Sequence, residues 1–261
     1  MHSPVPTNPQ GATATDLTAS IEEFVTNCMK NHDPSHNPAH IRRVVALALR
    51  ILSLERKANP EKAQRYDELT VHLAALLHDI SDRKYLPKTS TPTQNPTGNP
   101  DTDAGTAVAS EIGEIPPHKL VEHILLKHGA DGALAARVQV IVSHVSYTTE
   151  CKDPEQVRRL IEEEGFGELA IVQDADRLDA IGAVGIGRCF TFLGAKGRDM
   201  LKEGEEWEME NAIRHFEEKL VRLEGMMKTG SGRGMARVRT ERLMMFQRWW
   251  EDEIEEVSLL S

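Results

Sequence analysis

The sequence has little cysteine, few aromatic residues and no long hydrophobic run. Only three of its 261 residues are cysteine, and none of them forms a CxxC pair. The odd number and the missing pair argue against a disulfide framework and a zinc ribbon, and they favour a reducing compartment. No stretch approaches the roughly 18 continuous apolar residues of a transmembrane helix, so we expect no membrane span.

Positive charge is also scarce, since 31 lysines and arginines face 41 aspartates and glutamates and leave a net charge of -10. This balance is unfavourable for nucleic-acid or anionic-membrane binding. The basic tract KTGSGRGMARVRTER is followed at once by the acidic WWEDEIEEV, so an amphipathic core helix is favoured over a nucleic-acid contact. The opening MHSPVPTNPQGATATD lacks the basic and apolar regions of a secretory signal. We therefore expect a cytoplasmic protein, and a nuclear location is also compatible.

The apolar residues recur mostly at helical spacing, which predicts an all-α fold. We expect a disordered tail over 1–16 and one domain over 17–261, interrupted by a Pro/Thr-rich loop insert at 86–106. Asn37 and Pro38 have the residue types of a helix N-cap and first position. The remaining predictions are helices at 17–28, 63–78, 104–113, 116–128, 132–147 and 153–164, one long helix at 167–193, an amphipathic segment at 211–227, a hinge-like loop at 230–234 and a final helix at 236–257.

Histidine and aspartate stand at inward positions on three of these helices. His40 lies in the first turn after Asn37, where the partial positive charge of a helix N-terminus favours the neutral imidazole that a metal binds. Considered alone, His40 also fits a hydrogen-bonded, half-buried histidine. His78 shares a face with Val71, Ala74 and Ala75.

Two carboxylates complete the pattern. Asp79 is rotated by about 100° from His78, so both side chains can flank one point, although an arginine salt bridge would also explain the carboxylate. Asp176 lies one turn from Val172, but periodicity alone does not rank it against Asp174 and Asp179. Mixed nitrogen and oxygen ligands suit Mn, Fe, Co, Ni or Zn, with Mg as a further candidate.

The sequence resembles the HD-domain metal-dependent phosphohydrolases, and in particular a branch of small bacterial and fungal HD hydrolases. Their H…HD…D signature is matched by His40, His78, Asp79 and Asp176. The surrounding segments HDPSHNPAHIRRV, LAALLHDISDRKY, IVQDADRLDAIGAVGIGR and HFEEKLVRLEGMMKT are similar to the same branch. The chain departs from the pattern at Asn37, where the branch usually has Asp, and in the insert.

This resemblance implies a helical HD fold with one divalent ion, Mn²⁺ favoured, held by those four residues. It implies an enzyme that uses metal-activated water to cleave a nucleotide or a related small phosphate ester or anhydride, as a nucleotide pyrophosphohydrolase or phosphatase. The alternatives are a non-catalytic nucleotide-binding module and a cyclic-nucleotide-type phosphodiesterase. A small phosphorylated substrate is the expected partner, and a homodimer is compatible with the branch.

Further residues complete the predicted site. For catalysis we expect Asp79, Asp82 and Lys84. For substrate binding we expect His36, Arg43, Lys84, His144, Lys219 and Arg239. Surface charges, a helix cap for Asp82 and a core histidine for His144 are the competing interpretations.

A second metal ion at His118, His123 and His128 is a less favoured alternative. Their spacing of five residues rotates successive side chains about 140° apart on a helix.

Overall fold

The computed structural model describes residues 13–80, 115–201 and 203–258. Within these ranges every regular element is a helix, which confirms the predicted all-α class. The predicted helix at 104–113 and the insert at 86–106 lie outside the described residues. The helices are α1 Ala14–Met29, α2 Pro38–Ala58, α3 Pro60–Ala63, α4 Glu68–Leu77, α5 Pro117–Lys127, α6 Gly132–Ser143, α7 Tyr147–Lys152, α8 Pro154–Glu162, α9 Gly167–Asp179, α10 Gly182–Lys196, α11 Glu210–Glu218 and α12 Gly230–Ser258, with 3-10 turns at Gly197–Met200 and Leu220–Met226.

Helices α2, α4 and α9 form the centre of the molecule. One hydrophobic cluster packs them against α1, α5 and α6, and a second packs them against α12 and the Leu220–Met226 turn. Helix α4 is buried on almost every side, which fits its run of apolar residues LTVHLAALL. The three helices are therefore held from both sides, and polar residues at their ends keep fixed positions.

Helix α2 begins where the sequence predicted. Asn37 is the N-cap, and its side chain accepts hydrogen bonds from the backbone nitrogens of Ala39, at 2.9 Å, and His40, at 3.4 Å. Pro38 occupies the first helical position, where a missing N–H costs nothing. The cap fixes the direction of the first turn, which directs His40 into the core, where it is fully buried.

The prediction of one long helix at 167–193 is wrong, because the chain breaks between α9 and α10. The two helices meet at a bend of 71°. Gly182 has φ +74°, a conformation that side chains rarely adopt, and a Cβ built there would lie 3.1 Å from the Arg239 side chain. The glycine thus permits both the turn and the close approach of α12.

The predicted loop at 230–234 is also wrong, since these residues form the first turns of α12. Asp174, which is fully buried, anchors this start. Its carboxylate accepts hydrogen bonds from the backbone nitrogens of Lys228 and Thr229, both at 2.8 Å, and from the Thr229 hydroxyl at 2.7 Å. Gly232 packs so closely that a Cβ there would clash with the Asp174 carboxylate. Asp174 therefore joins α9 to α12.

Smaller differences concern helix ends. Helix α1 begins at Ala14, inside the segment expected to be a tail, because Thr13 and Asp16 form a capping box. Helix α6 ends at Ser143 with His144 as its C-cap, earlier than predicted. No single helix in the described part of the chain has the length and apolar character to cross a membrane. Among the described residues, one pair of helices, Gly167–Asp179 and Gly182–Asp199, reaches that length and character when the two are counted together across their bend.

We predict that Asp174→Ala lowers the free energy of unfolding by about 3 kcal/mol, because buried donors on Thr229 and Lys228 lose their acceptor. Urea denaturation followed by circular dichroism measures this change. Asp252→Ala, an exposed change of the same type near the end of α12, should stay within about 0.5 kcal/mol of the wild type. Equal losses in the two variants would contradict the anchoring role of Asp174.

Candidate metal centre

Four side chains from the three central helices meet at one point. His40 comes from the first turn of α2, His78 caps the end of α4 with Asp79 beside it, and Asp176 lies on α9. The Nε2 atoms of His40 and His78 are 3.1 Å apart. Asp79 Oδ2 lies 3.2 and 3.3 Å from these two nitrogens, and Asp176 Oδ1 lies 3.8 and 3.7 Å from them.

Hydrogen bonds on the far side of each ring fix the tautomers of both histidines. His78 Nδ1 lies 2.9 Å from the Ala75 carbonyl oxygen, and His40 Nδ1 lies 2.8 Å from Asp179 Oδ2. A carbonyl and a carboxylate only accept, so each Nδ1 carries the proton. In the neutral rings both Nε2 atoms therefore present lone pairs to the centre, as metal-binding histidines do.

With both rings neutral, the centre thus contains acceptors and no donor. Asp79 Oδ2 is buried, and among the described residues no group donates a hydrogen bond to it. Buried acceptors at such distances repel one another unless a cation lies between them. The ligand atoms of His40, His78 and Asp176 all lie within 4.8 Å of one another, and Asp79 Oδ2 is in contact with both rings. This donor set fits a divalent ion of the Mn, Fe, Co, Ni, Zn or Mg group.

The electrostatics of the centre favour positive charge. Burial lowers the pKa of His78, but the carboxylates of Asp79 and Asp176 outweigh it and raise that pKa to about 9. Burial likewise opposes ionisation of Asp79, yet the His78 and His40 rings hold the pKa of its carboxyl well below the usual range. In metal-free protein a proton therefore takes the place of a cation.

Asp179 supports the centre from behind. Its buried carboxylate accepts from His40 Nδ1, from Arg43 Nε at 2.7 Å and from Arg188 Nη1 at 3.0 Å. Burial raises the pKa of Asp179, but His40 and the two guanidinium groups lower it below its usual range by a larger amount. Helical periodicity does not rank Asp179 against Asp176. Arg188 ends the family-like segment IVQDADRLDAIGAVGIGR but was not expected at the site, and it reaches Asp179 because the chain turns between α9 and α10.

His36 lies beside the centre, in the turn before α2. Ser35 Oγ donates to Asp33 Oδ1 and lies 2.6 Å from His36 Nδ1, so the ring donates from Nδ1 to the serine. The His36 ring packs edge-on to His40, with 5.8 Å between centroids. Burial lowers its pKa to about 4, so it is neutral at physiological pH. Its role in substrate binding stays a prediction.

The other predicted site residues have contacts of their own. His144 Nδ1 donates to the Val140 carbonyl, and Lys219 Nζ lies 4.9 Å from the centre of the Tyr147 ring. The Arg239 guanidinium donates to the Leu178 carbonyl near the end of α9. Substrate contacts by these three residues stay predictions. Asp82 and Lys84 lie outside the described residues.

The alternative of a second metal ion gains no support. His128 Nδ1 lies 2.6 Å from Ser20 Oγ, and its ring packs against Phe24. Across the described ranges, with gaps at 81–114 and 202, the structure assembles no further group of metal ligands.

Comparison with known proteins agrees with this fold and centre. No protein-family model matches the chain. The uncharacterized protein YpgQ of Bacillus subtilis is 34% identical to it over 234 residues, which cover 90% of this chain and 92% of YpgQ. The crystal structure of YpgQ in complex with ADP matches with a TM-score of 0.57 and 28% identity, over 93% of this chain and 97% of that chain.

A structure described as an HD-superfamily hydrolase, from Bacillus thuringiensis, matches with a TM-score of 0.55 and 25% identity, over 93% of this chain and 99% of that chain. The helical fold and the histidine–aspartate centre agree with the class of HD-superfamily hydrolases. The chain belongs to the HD superfamily of metal-dependent phosphohydrolases, which confirms the family that the motifs predicted. The role of each of the four residues as a metal ligand stays a prediction.

We predict that Mn²⁺ binding at pH 7.5 releases about one proton per ion. The raised pKa of about 9 keeps His78 protonated in metal-free protein, and a ligand nitrogen must be deprotonated. The number released should fall as the pH rises through 9. Calorimetric titrations in two buffers of different ionisation enthalpy measure the proton count.

His72→Ala is the matched control, since His72 is on the same helix but lies beside Glu22 and Glu68. It should bind Mn²⁺ like the wild type, whereas His78→Ala should bind it much more weakly. Mn²⁺ binding at pH 7.5 without proton release would contradict the described protonation of His78.

Proposed function

We propose that this protein is a divalent-metal-dependent phosphohydrolase that cleaves a nucleotide or a related small phosphate ester or anhydride. The observation that carries the proposal is the convergence of His40 Nε2, His78 Nε2, Asp79 Oδ2 and Asp176 Oδ1 on one point. The bound ADP in the YpgQ structure supports a nucleotide as the substrate class.

His40, His78, Asp79 and Asp176 would hold the ion, with Mn²⁺ favoured among the candidates. When bound, such an ion supplies a hydroxide near neutral pH and polarises a phosphoryl oxygen. The chain's own contribution is to orient the ligands. Asp179 and the Ala75 carbonyl keep the two imidazoles in the required tautomer, and the three central helices prevent the rings from turning away.

The partial exposure of the two carboxylates gives substrate access to the centre. The side chains of Asp79 and Asp176 are 18% and 29% exposed, while each histidine side chain is only 1% exposed. Solvent thus reaches the centre on the side of the two carboxylates, while both imidazoles are buried. A phosphate ester fits a centre that is open to solvent on one side, because its charged oxygens stay hydrated until they reach the site.

We predict that Asp79→Ala and His40→Ala each lower the turnover number about 1000-fold or more, since loss of the metal removes several kcal/mol of transition-state stabilisation. The assay measures released phosphate and pyrophosphate from nucleoside triphosphates, monophosphates and cyclic nucleotides with Mn²⁺, Mg²⁺, Co²⁺ or Ni²⁺. Circular dichroism checks that both variants stay helical, and His72→Ala again serves as the control.

Full activity in both variants would reject the assignment of the site. Metal-dependent nucleotide binding without turnover would favour a regulatory module instead. Cleavage restricted to cyclic nucleotides would favour a phosphodiesterase.

A further inference from the structure

Asp179 connects the candidate metal centre to two arginines. Its carboxylate accepts from His40 on one side and from both guanidinium groups on the other. Arg43 binds it with two nitrogens, Nε at 2.7 Å and Nη2 at 3.0 Å. Arg188 is held in addition by a hydrogen bond that its Nε donates to the Ser35 carbonyl oxygen, at 2.8 Å. Both guanidinium groups therefore lie in defined positions, separated from the centre by Asp179 and one imidazole.

The two arginines change the sign of the net charge of this assembly. The carboxylates of Asp79 and Asp176 balance the charge of one divalent ion, and the imidazoles are neutral as ligands. Asp179 alone would leave the assembly negative, which repels an anion. Arg43 and Arg188 together reverse that sign and leave a net positive charge beside the centre. In a chain with a net charge of -10, this local excess requires a specific reason.

The two guanidinium groups also keep donors for a ligand. Each carries five N–H donors in a planar fork. Among the described residues, the structure records no acceptor for Nη1 of Arg43 or for Nη2 of Arg188. The Arg43 side chain is 34% exposed and that of Arg188 is 12% exposed, so both can be reached from solvent. Paired, preoriented guanidinium groups are the arrangement that binds phosphate oxygens in a bidentate way.

We propose that Arg43 and Arg188, oriented together by Asp179, form an anion subsite that binds phosphoryl oxygens of the substrate. The inference rests on the proposed function and extends it, because it assigns Arg188 a substrate contact and gives Asp179 the task of orienting both arginines. Arg43 was already expected to contact substrate, but its partner was not.

The test measures binding of inorganic phosphate, not turnover, to the Mn²⁺-loaded protein by isothermal titration calorimetry. Arg43→Gln and Arg188→Gln should each weaken phosphate binding about tenfold or more, since each removes charge-assisted hydrogen bonds. Mn²⁺ affinity, measured in the same variants, should stay within about threefold of the wild type, which a general loosening of the site would not allow.

Two further variants separate an anion contact from simple loss of charge. Arg42→Gln removes the same charge from an exposed neighbour on α2 and should leave phosphate binding unchanged. Arg188→Lys keeps the charge without the fork and should bind phosphate more tightly than Arg188→Gln but more weakly than the wild type.

The inference is overturned if the wild type does not bind phosphate, or if either glutamine variant binds it as the wild type does. Failure of the proposed function has a different signature, namely phosphate binding that depends on both arginines without hydrolysis of any compound in the substrate panel. Should Arg188→Gln fail to fold because the Ser35 contact is lost, Arg43→Gln decides alone, since its side chain lies at the edge of the site.

Discussion

The whole structure depends on four acceptor atoms that are held too close together to be stable without positive charge. Two imidazole nitrogens at 3.1 Å and two carboxylate oxygens within 4 Å of them would move apart in a flexible chain. They stay together because each residue lies on, or directly after, one of the three central helices, which are packed on both sides by hydrophobic clusters. Stability from the core thus maintains an arrangement that is unfavourable by itself and that a divalent ion makes favourable.

Asp179 extends this arrangement outward. One buried carboxylate fixes the tautomer of His40 and at the same time orients Arg43 and Arg188, so ligand geometry and local positive charge have a common support. The position of Asp179, the last residue of α9, allows this, because the bend that follows brings Arg188 back toward the same carboxylate. The bend is needed for the charge balance of the site as well as for packing.

Local signals in the sequence predicted much of this fold, and long-range contacts account for what they missed. Asn37 and Pro38 predicted the start of α2 because capping depends on adjacent residues. The break at Gly182 was missed because a glycine within an apolar helical pattern does not reveal that its φ is positive, and the close approach of Arg239 comes from a residue far along the chain. In the same way, helical periodicity placed Asp174, Asp176 and Asp179 on one helix, but only the packing of α2, α4 and α12 gives each a separate role: anchor of α12, candidate ligand and support of His40.

A crystal structure of the Mn²⁺-loaded protein, with anomalous diffraction data collected near the manganese absorption edge, tests the central claim most directly. We expect one strong anomalous peak about 2.0–2.3 Å from His40 Nε2, His78 Nε2 and oxygens of Asp79 and Asp176, the distances typical of nitrogen and oxygen ligands. A peak elsewhere, or a well-ordered structure of the loaded protein in which these four side chains share no ion, would contradict the account.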